Sequence, residues 1–422
     1  MTISNQDYMK REQLQSVVQV LLYLNLGFGE YSDAKDITEW VRDINVDVAE
    51  GTVDTSGNTS GQLIDKLELD MDNSRGDFDA TGRFLNAGIL NNSKIKIISK
   101  YTQAYTSGGV IFPGTGLTPY VFNGIIKADS CAYDYYGPDR ILKLGILQAA
   151  SIMATEIVNQ GYIATGSSLA QTALQIMSQP SITGLVNVNS GNINLDFDVA
   201  GCVDNLNDLL GAKVLDAINA IGILSNSKWY IDQNSNFVME PVKNSGTSSW
   251  DLSVDDIISI DDLGYNPLQF NSVTWDDGQT DIVNAQMTYD LRQRYGYDCF
   301  EKKLDFKWIT DTVKKQALTI NYLLNHMHQH RMITLTCKSN PELRYNQLIT
   351  IDYPRQYVLR PDSFIWGKSS WGDGSLWTPG IAGIRISPGI LWRVVSITRK
   401  LSLAPDMQIV AVLAGIGQDP AL

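Results

Sequence analysis

The sequence predicts a mainly β, multi-domain protein with α/β parts. Three observations predict it. Apolar and polar residues alternate strictly over several short runs, the period of a half-buried strand. Clusters of turn-forming residues separate those runs. In the middle of the chain, and again near residue 310, the apolar period lengthens to that of a helix. The 422 residues give room for two to four domains of about 150 residues each. With 44% hydrophobic and 19% charged residues, the chain has enough apolar side chains to fold.

Residues 1–35 read as an N-terminal arm. Ser16 to Gly27 is apolar but shorter than the roughly 20 residues that span a bilayer. It also lacks the cleavage pattern of a signal peptide. The expectation is a soluble chain made without export and without stable membrane insertion. Residues 36–140 alternate with period two. Ile44, Val46 and Val48 form one such run, Leu67, Leu69 and Met71 another, Ile95 and Ile97 a third. Turns at 54–58, 73–76 and 91–93 divide them, so this region reads as an antiparallel barrel or sandwich.

Residues 141–250 read as a mixed α/β part. Ile141, Leu144 and residues 148–157 suggest helix, as do residues 169–177. Residues 184–199 suggest strand. Leu210, Val214, Leu215, Ile218 and Ile221 make one face of a clear amphipathic helix. A hairpin follows, with strands at 228–232 and 237–240. Residues 251–422 carry a long helix at 311–330, where Val313, Ala317, Ile320, Leu324 and Met327 form one apolar seam. Strands are expected at 332–337, 347–353, 391–400 and 407–413, with a Trp-rich loop at 364–380. No internal repeat of fixed period is visible.

The net charge is −13. Binding through phosphates needs a basic stripe, so no specific nucleic-acid binding is expected. Acid is concentrated at 232–290, with 11 Asp and Glu against Lys243 alone. Cys131, Cys202, Cys299 and Cys337 are widely spaced and make no CxxC pair, so neither a zinc ribbon nor a disulfide scaffold is indicated.

His326, His328 and His330 are the only histidines. On a helix His326 and His330 share a face and form a metal candidate. No Cys or carboxylate completes that site by spacing, and the preferred reading is a helix end whose cationic groups favour the C-terminal dipole. No cofactor is expected. Residues 70–76 resemble a calcium loop but carry Arg75 where glycine is needed. Gly367-Lys368-Ser369 lacks the upstream glycine of a phosphate loop. The acidic pairs Asp255-Asp256, Asp261-Asp262 and Asp276-Asp277 point to opposite strand faces and are not preset catalytic dyads. No catalytic residue is assigned. Trp366, Trp371 and Trp377 are interface candidates in a Gly- and Ser-rich loop.

The order of elements carries a resemblance. Residues 63–78 (LIDKLELDMDNSRGDF) resemble the early strand and asparagine turn of phage baseplate and tail-tip hub proteins. Residues 211–242 resemble that family's helix and hairpin, and residues 265–275 the strand that follows. Arg294-Tyr295-Gly296 matches the signature before the long helix. Residues 343–354 (LRYNQLITIDYP) are similar to a later strand, with Asn346 and Gln347 where Gly and Asp are usual. Residues 391–414 resemble the closing hairpin.

The resemblance implies two tail-tube-like β-barrels, the second at 251–422, with smaller α/β domains. It implies a homotrimer at the distal end of a tail, continuing the tube and letting DNA pass. Partners would be a tail tube or distal tail ring protein and a central spike or fibre protein, with a tape measure protein in the lumen. The chain ends at Leu422, just past the last expected strand, so the spike is expected as a separate polypeptide. A receptor-binding adhesin is the alternative, and a carbohydrate-active hydrolase a more distant one.

Overall fold

The computed structural model describes residues 16–27, 30–43, 47–50, 66–78, 92–101, 105–107, 110–112, 120–127, 132–134, 140–206, 208–232, 234–253, 256–265, 272–275, 281–283, 301–304, 306–326, 331–338, 340, 342–353, 357–358, 381–382, 389–400 and 406–414. The N-terminal part gives β1 (Ser16–Tyr23), β2 (Lys35–Asp36), β3 (Val41–Asp43), β4 (Asp47–Glu50), β5 (Lys66–Asp72), β6 (Lys94–Tyr101), β7 (Tyr120–Ile126), β8 (Ala132–Asp134) and β9 (Ile141–Gln148). All but β4 join one sheet, in the order β2–β1–β6–β7–β9–β5–β3, with β8 on β9. Each of its pairings is antiparallel.

The two edges of this sheet, β2 and β3, are joined by residues 37–40 alone. Five peptide steps reach at most about 18 Å. Six strand spacings laid flat need about 29 Å. The sheet therefore curls until the short link can bridge its edges. Two bonds fix that seam: Val20 N–H donates to Thr38 Oγ1 at 2.8 Å, and Ile37 N–H donates to the Val20 carbonyl at 2.9 Å. The inner face packs Leu22, Leu69, Ile97, Phe122, Leu144 and Ile146 into one core. Gly124 lies under Ile146 and Phe122, where a Cβ would collide with both.

Two expectations change here. Part of the arm is strand β1, which the sequence left undecided. Residues 141–148 are strand, not helix. Leu142, Leu144 and Ile146 are buried while Lys143 is exposed, so pairing between β5 and β7 imposes period two on a run whose Leu and Ile content suits either state.

The middle of the chain holds α1 (Leu169–Met177), α2 (Val214–Leu224) and a hairpin of β10 (Ser227–Ile231) and β11 (Phe237–Pro241). Ser168 caps α1 in a full capping box with Gln171. The Trp229 ring stacks on Phe237 and its N–H donates to Asn219 on α2, which seats the hairpin on the helix. Residues 184–199 do not form a strand. They contain a 3-10 turn at Ser190–Asn192 and touch the hairpin by single bridges, Asn187 to Asn236 and Ile193 to Met239.

The rest gives β12 (Trp250–Leu252), β13 (Ile257–Tyr265), β14 (Ser272–Trp275), β15 (Asp281–Val283), β16 (Glu301–Leu304), α3 (Thr312–His326), β17 (Arg331–Lys338), β18 (Leu348–Ile351), β19 (Leu391–Lys400) and β20 (Asp406–Leu413). A second large sheet runs β12–β18–β19–β20–β17–β13. Its edges are joined by residues 253–256, so it rolls up for the same reason. Here Asp256, 3% exposed, accepts from both the backbone N–H and the hydroxyl of Ser253. The inner face packs Trp250, Leu335, Ile349, Trp392, Ile397 and Ile409. Strands β14–β16 and α3 pack instead on the middle core, through Val273, Trp275, Leu318 and Tyr322.

The two rolled sheets have one topology. In chain order β2, β3, β5, β6, β7 and β9 take the same places as β12, β13, β17, β18, β19 and β20. Strand β12 is parallel to β18. Strand β2 is parallel to β6 as well, because β1 lies between them and is antiparallel to both. Along this path the first sheet differs by one inserted strand, β1, and it also carries β8 on β9. The sheets are tied together by β4, which leaves the first and pairs antiparallel with β19 of the second, from Ile397↔Glu50 to Lys400↔Asp47. The chain is mainly β, with two half-barrel sheets and an α/β part between them.

Candidate interaction surfaces

The outer faces of the half-barrels differ in chemistry. On the first, Lys94 and Lys96 stand on β6, Lys143 on β9, and Glu68, Asp70 and Asp72 on β5. Lys143 lies directly across from Asp70. The N–H of Ser74 holds the Asp72 carboxyl below the usual range. On the second, cross-strand rows read Ser259–Thr336–Gln408–Thr398 and Asp261–Thr334–Val410–Ser396. Those rows contain one charge, at Asp261.

Helix α3 presents its apolar seam outward. Val313 is 74% exposed, Ile320 48% and Leu324 50%. The apolar seam read from the sequence is thus not the face that packs on the core. The buried face is Lys315, Leu318, Thr319, Tyr322 and Leu323. Its polar members have partners: the Lys315 ammonium sits 5.3 Å from the Trp275 ring centroid, and Thr319 accepts from the Trp275 N–H. Asp204 pins the start of the helix, accepting from the N–H groups of Thr310 and Asp311 and from Lys314. Burial raises the Asp204 carboxyl, but these donors outweigh it and hold it below the ordinary value.

The turn at Asn346 settles a point the sequence left open. Its φ is 62°, the left-handed region that asparagine tolerates better than most residues. The Gln347 side-chain oxygen accepts from the Arg344 N–H at 2.9 Å. Asn346 donates to Glu240 and to the Pro241 carbonyl, and accepts from Lys243 N–H. It therefore clamps the β10–β11 hairpin to the second half-barrel. Arg393, also on that side, reaches Asn244, and burial lowers its pKa to about 10.

The other sequence candidates fall elsewhere. His326 ends α3, but its side chain lies outside the described residues, as do His328 and His330. Trp366, Trp371 and Trp377 lie outside them too. Among the described residues no group of three His, Cys, Asp or Glu gathers as metal ligands. Cys202 and Cys337 are buried free thiols, and burial, with Asp198 nearby, pushes the Cys202 thiol to about 12. No described helix is long and apolar enough to cross a membrane.

No protein-family model matches the chain, and no curated protein matches it. Solved structures do. The tail protein from Neisseria meningitidis MC58 is similar over 95% of this chain and 98% of its own, at 12% identity and a TM-score of 0.52. The 43 kDa tail protein of prophage MuSo2 from Shewanella oneidensis is similar over 94% and 98%, at 10% identity and a TM-score of 0.48. Prophage tail protein gp18 from Listeria monocytogenes EGD-e gives 93% and 94%, 11% identity and a TM-score of 0.45. The first of these spans both half-barrels and the part between them, and on that likeness the chain has the fold of a phage tail protein.

Proposed function

We propose that the chain is a structural, non-enzymatic component of a phage tail tip or baseplate. It acts as a hub: three copies form a ring that continues the tail tube, meets a central spike or fibre, and lets DNA pass. Its place is the virion, after assembly in the host cytoplasm. The observation that carries this reading is the duplication of the rolled sheet, locked within one chain by β4 on β19. Three such chains offer six equivalent half-barrels, the number that matches a six-fold tube ring. The net charge of −13 supports the conduit, since like charge keeps phosphates from adhering to a wall. The tube or distal ring protein, the spike and the tape measure protein are the partners this role requires.

The test is the mass of the purified protein in solution, followed by negative-stain images, alone and with the tube or spike protein. A three-fold ring with a central channel is expected. A closed monomer with a single deep cleft, unchanged by those partners, overturns the reading.

A further inference from the structure

Lys94 and Lys96 stand two residues apart on β6, so both face outward. Their cross-strand neighbours are Tyr23 and Ile125 beside Lys94, and Leu21 and Asn123 beside Lys96. None is acidic. The Lys94 ammonium lies 4.0 Å from the centroid of the Tyr31 ring, and burial lowers its pKa. Among the described residues neither lysine meets a carboxylate.

The lysines open onto a cleft between the first half-barrel and the middle part. Its two chambers, about 410 and 240 Å³, share Tyr31, Ile125 and Leu185. An ammonium half removed from water, with only a ring face in exchange, is an incomplete pair. A carboxylate arriving with an apolar neighbour would complete it.

Strand β13 carries that combination. It is the last strand of its sheet, so one of its edges has no partner among the described residues. Ile258 is 59% exposed and Asp261 is exposed. It lies within the segment 232–290, where 11 acids face one lysine.

We propose that the Lys94–Lys96 cleft receives the β13 edge of a second copy of this chain, with Asp261 pairing with the lysines and Ile258 entering beside Tyr31. The contact joins the second half-barrel of one copy to the first of the next. Such a head-to-tail contact closes into a ring when its rotation allows. The β4–β19 junction inside each copy then alternates with it around the ring. The inference rests on the ring proposed above and names its inter-copy contact.

The test compares wild type, Lys94→Glu/Lys96→Glu, Asp261→Lys and the combined triple variant by light scattering across salt concentrations, with thermal melts as a fold control. Each charge reversal is expected to weaken association about tenfold or more, and the triple variant to recover most of it. Wild-type association should weaken as salt rises. A ring unchanged in Lys94→Glu/Lys96→Glu overturns this contact and leaves the hub reading standing. Loss in both reversals without recovery in the triple variant overturns the pairing with Asp261. A wild type that never self-associates, alone or with tube protein, removes the ring itself and this contact with it.

Discussion

The first half-barrel inserts β1 between the strands that correspond to β12 and β18, and its outer face is charged. The second lacks the insertion, exposes rows of threonine and serine, and accepts β4 from the first. Their inner faces are alike: alternating aliphatic residues with a few aromatics, closed by a four-residue seam. The comparison teaches that the rolled sheet is specified by its inner face and its seam. The outer face is then free to specialise, because a residue there can change without touching the core.

The largest effects should come from the inner faces. Leu144→Ala and Ile409→Ala each remove a fully buried side chain and should cost about 2–5 kcal/mol. With β4 on β19 in place, calorimetry should show both variants lowering one shared transition. In a Val48→Pro background, which removes a donor from β4, the shared transition should split in two. A single transition surviving there would show that the half-barrels are coupled by other contacts.

Next is the Asn346 clamp on the second half-barrel. Asn346→Ala loses a residue suited to φ 62° and the side-chain bonds to the hairpin, and should cost about 2–4 kcal/mol. Asn346→Gly keeps the backbone and loses only the bonds, so it should cost about half as much. Equal melting temperatures for the two variants would remove the backbone part of this account.

The two seams should respond more mildly. Asp256→Ala leaves the Ser253 N–H and hydroxyl without their acceptor and should cost about 1–3 kcal/mol in denaturant melts. Thr38→Val leaves the Val20 N–H unpaired on a partly exposed seam and should cost about 1 kcal/mol. The reverse ranking would mean that burial does not set the seam's strength.

The smallest effect lies outside both half-barrels and serves as a reference. The Asp204 carboxyl is depressed in the folded state, so its contribution is full above the ordinary carboxylate range near about 4 and is lost as pH falls through the folded value. Asp204→Asn should lower stability at pH 7 by under about 1 kcal/mol and flatten the acid limb of stability against pH. An unchanged acid limb would deny Asp204 that role.

Much of the fold was legible in the sequence, where local pattern and tertiary packing agree. The strands at 66–72, 94–101, 391–400 and 406–413 follow from period two, and α2 follows from its apolar face. Residues 141–148 misled because their Leu and Ile suit either state, and strand pairing decided. Helix α3 misled differently. Its apolar seam is real, but Trp275 offers Lys315 a ring face and Thr319 a donor, which bury the opposite side. The resemblance implied the two barrels, but no internal repeat showed the duplicated topology because the connections differ: residues 44–65 in the first half-barrel correspond to 266–330 in the second, which carry a small sheet and a helix. No fixed period survives such an insertion. The Lys94–Lys96 pair shows in the sequence only as two polar positions of a strand. Its cleft is lined in part by residues more than fifty positions away, such as Tyr31 and Leu185.

Strand β4 also has a place in time. Its partner on β19 is encoded about 350 residues later. At a synthesis rate of roughly 5–20 residues per second, the ribosome delivers that partner roughly 20–70 s after β4 emerges. The first half-barrel can roll up in that interval, since β1 to β9 are all in hand, while β4 stays without its native mate. A late step of folding is then the docking of a finished unit onto a strand made about 350 residues after β4. Chains cut short before residue 397 would carry a sound first half-barrel and an open edge looking for one.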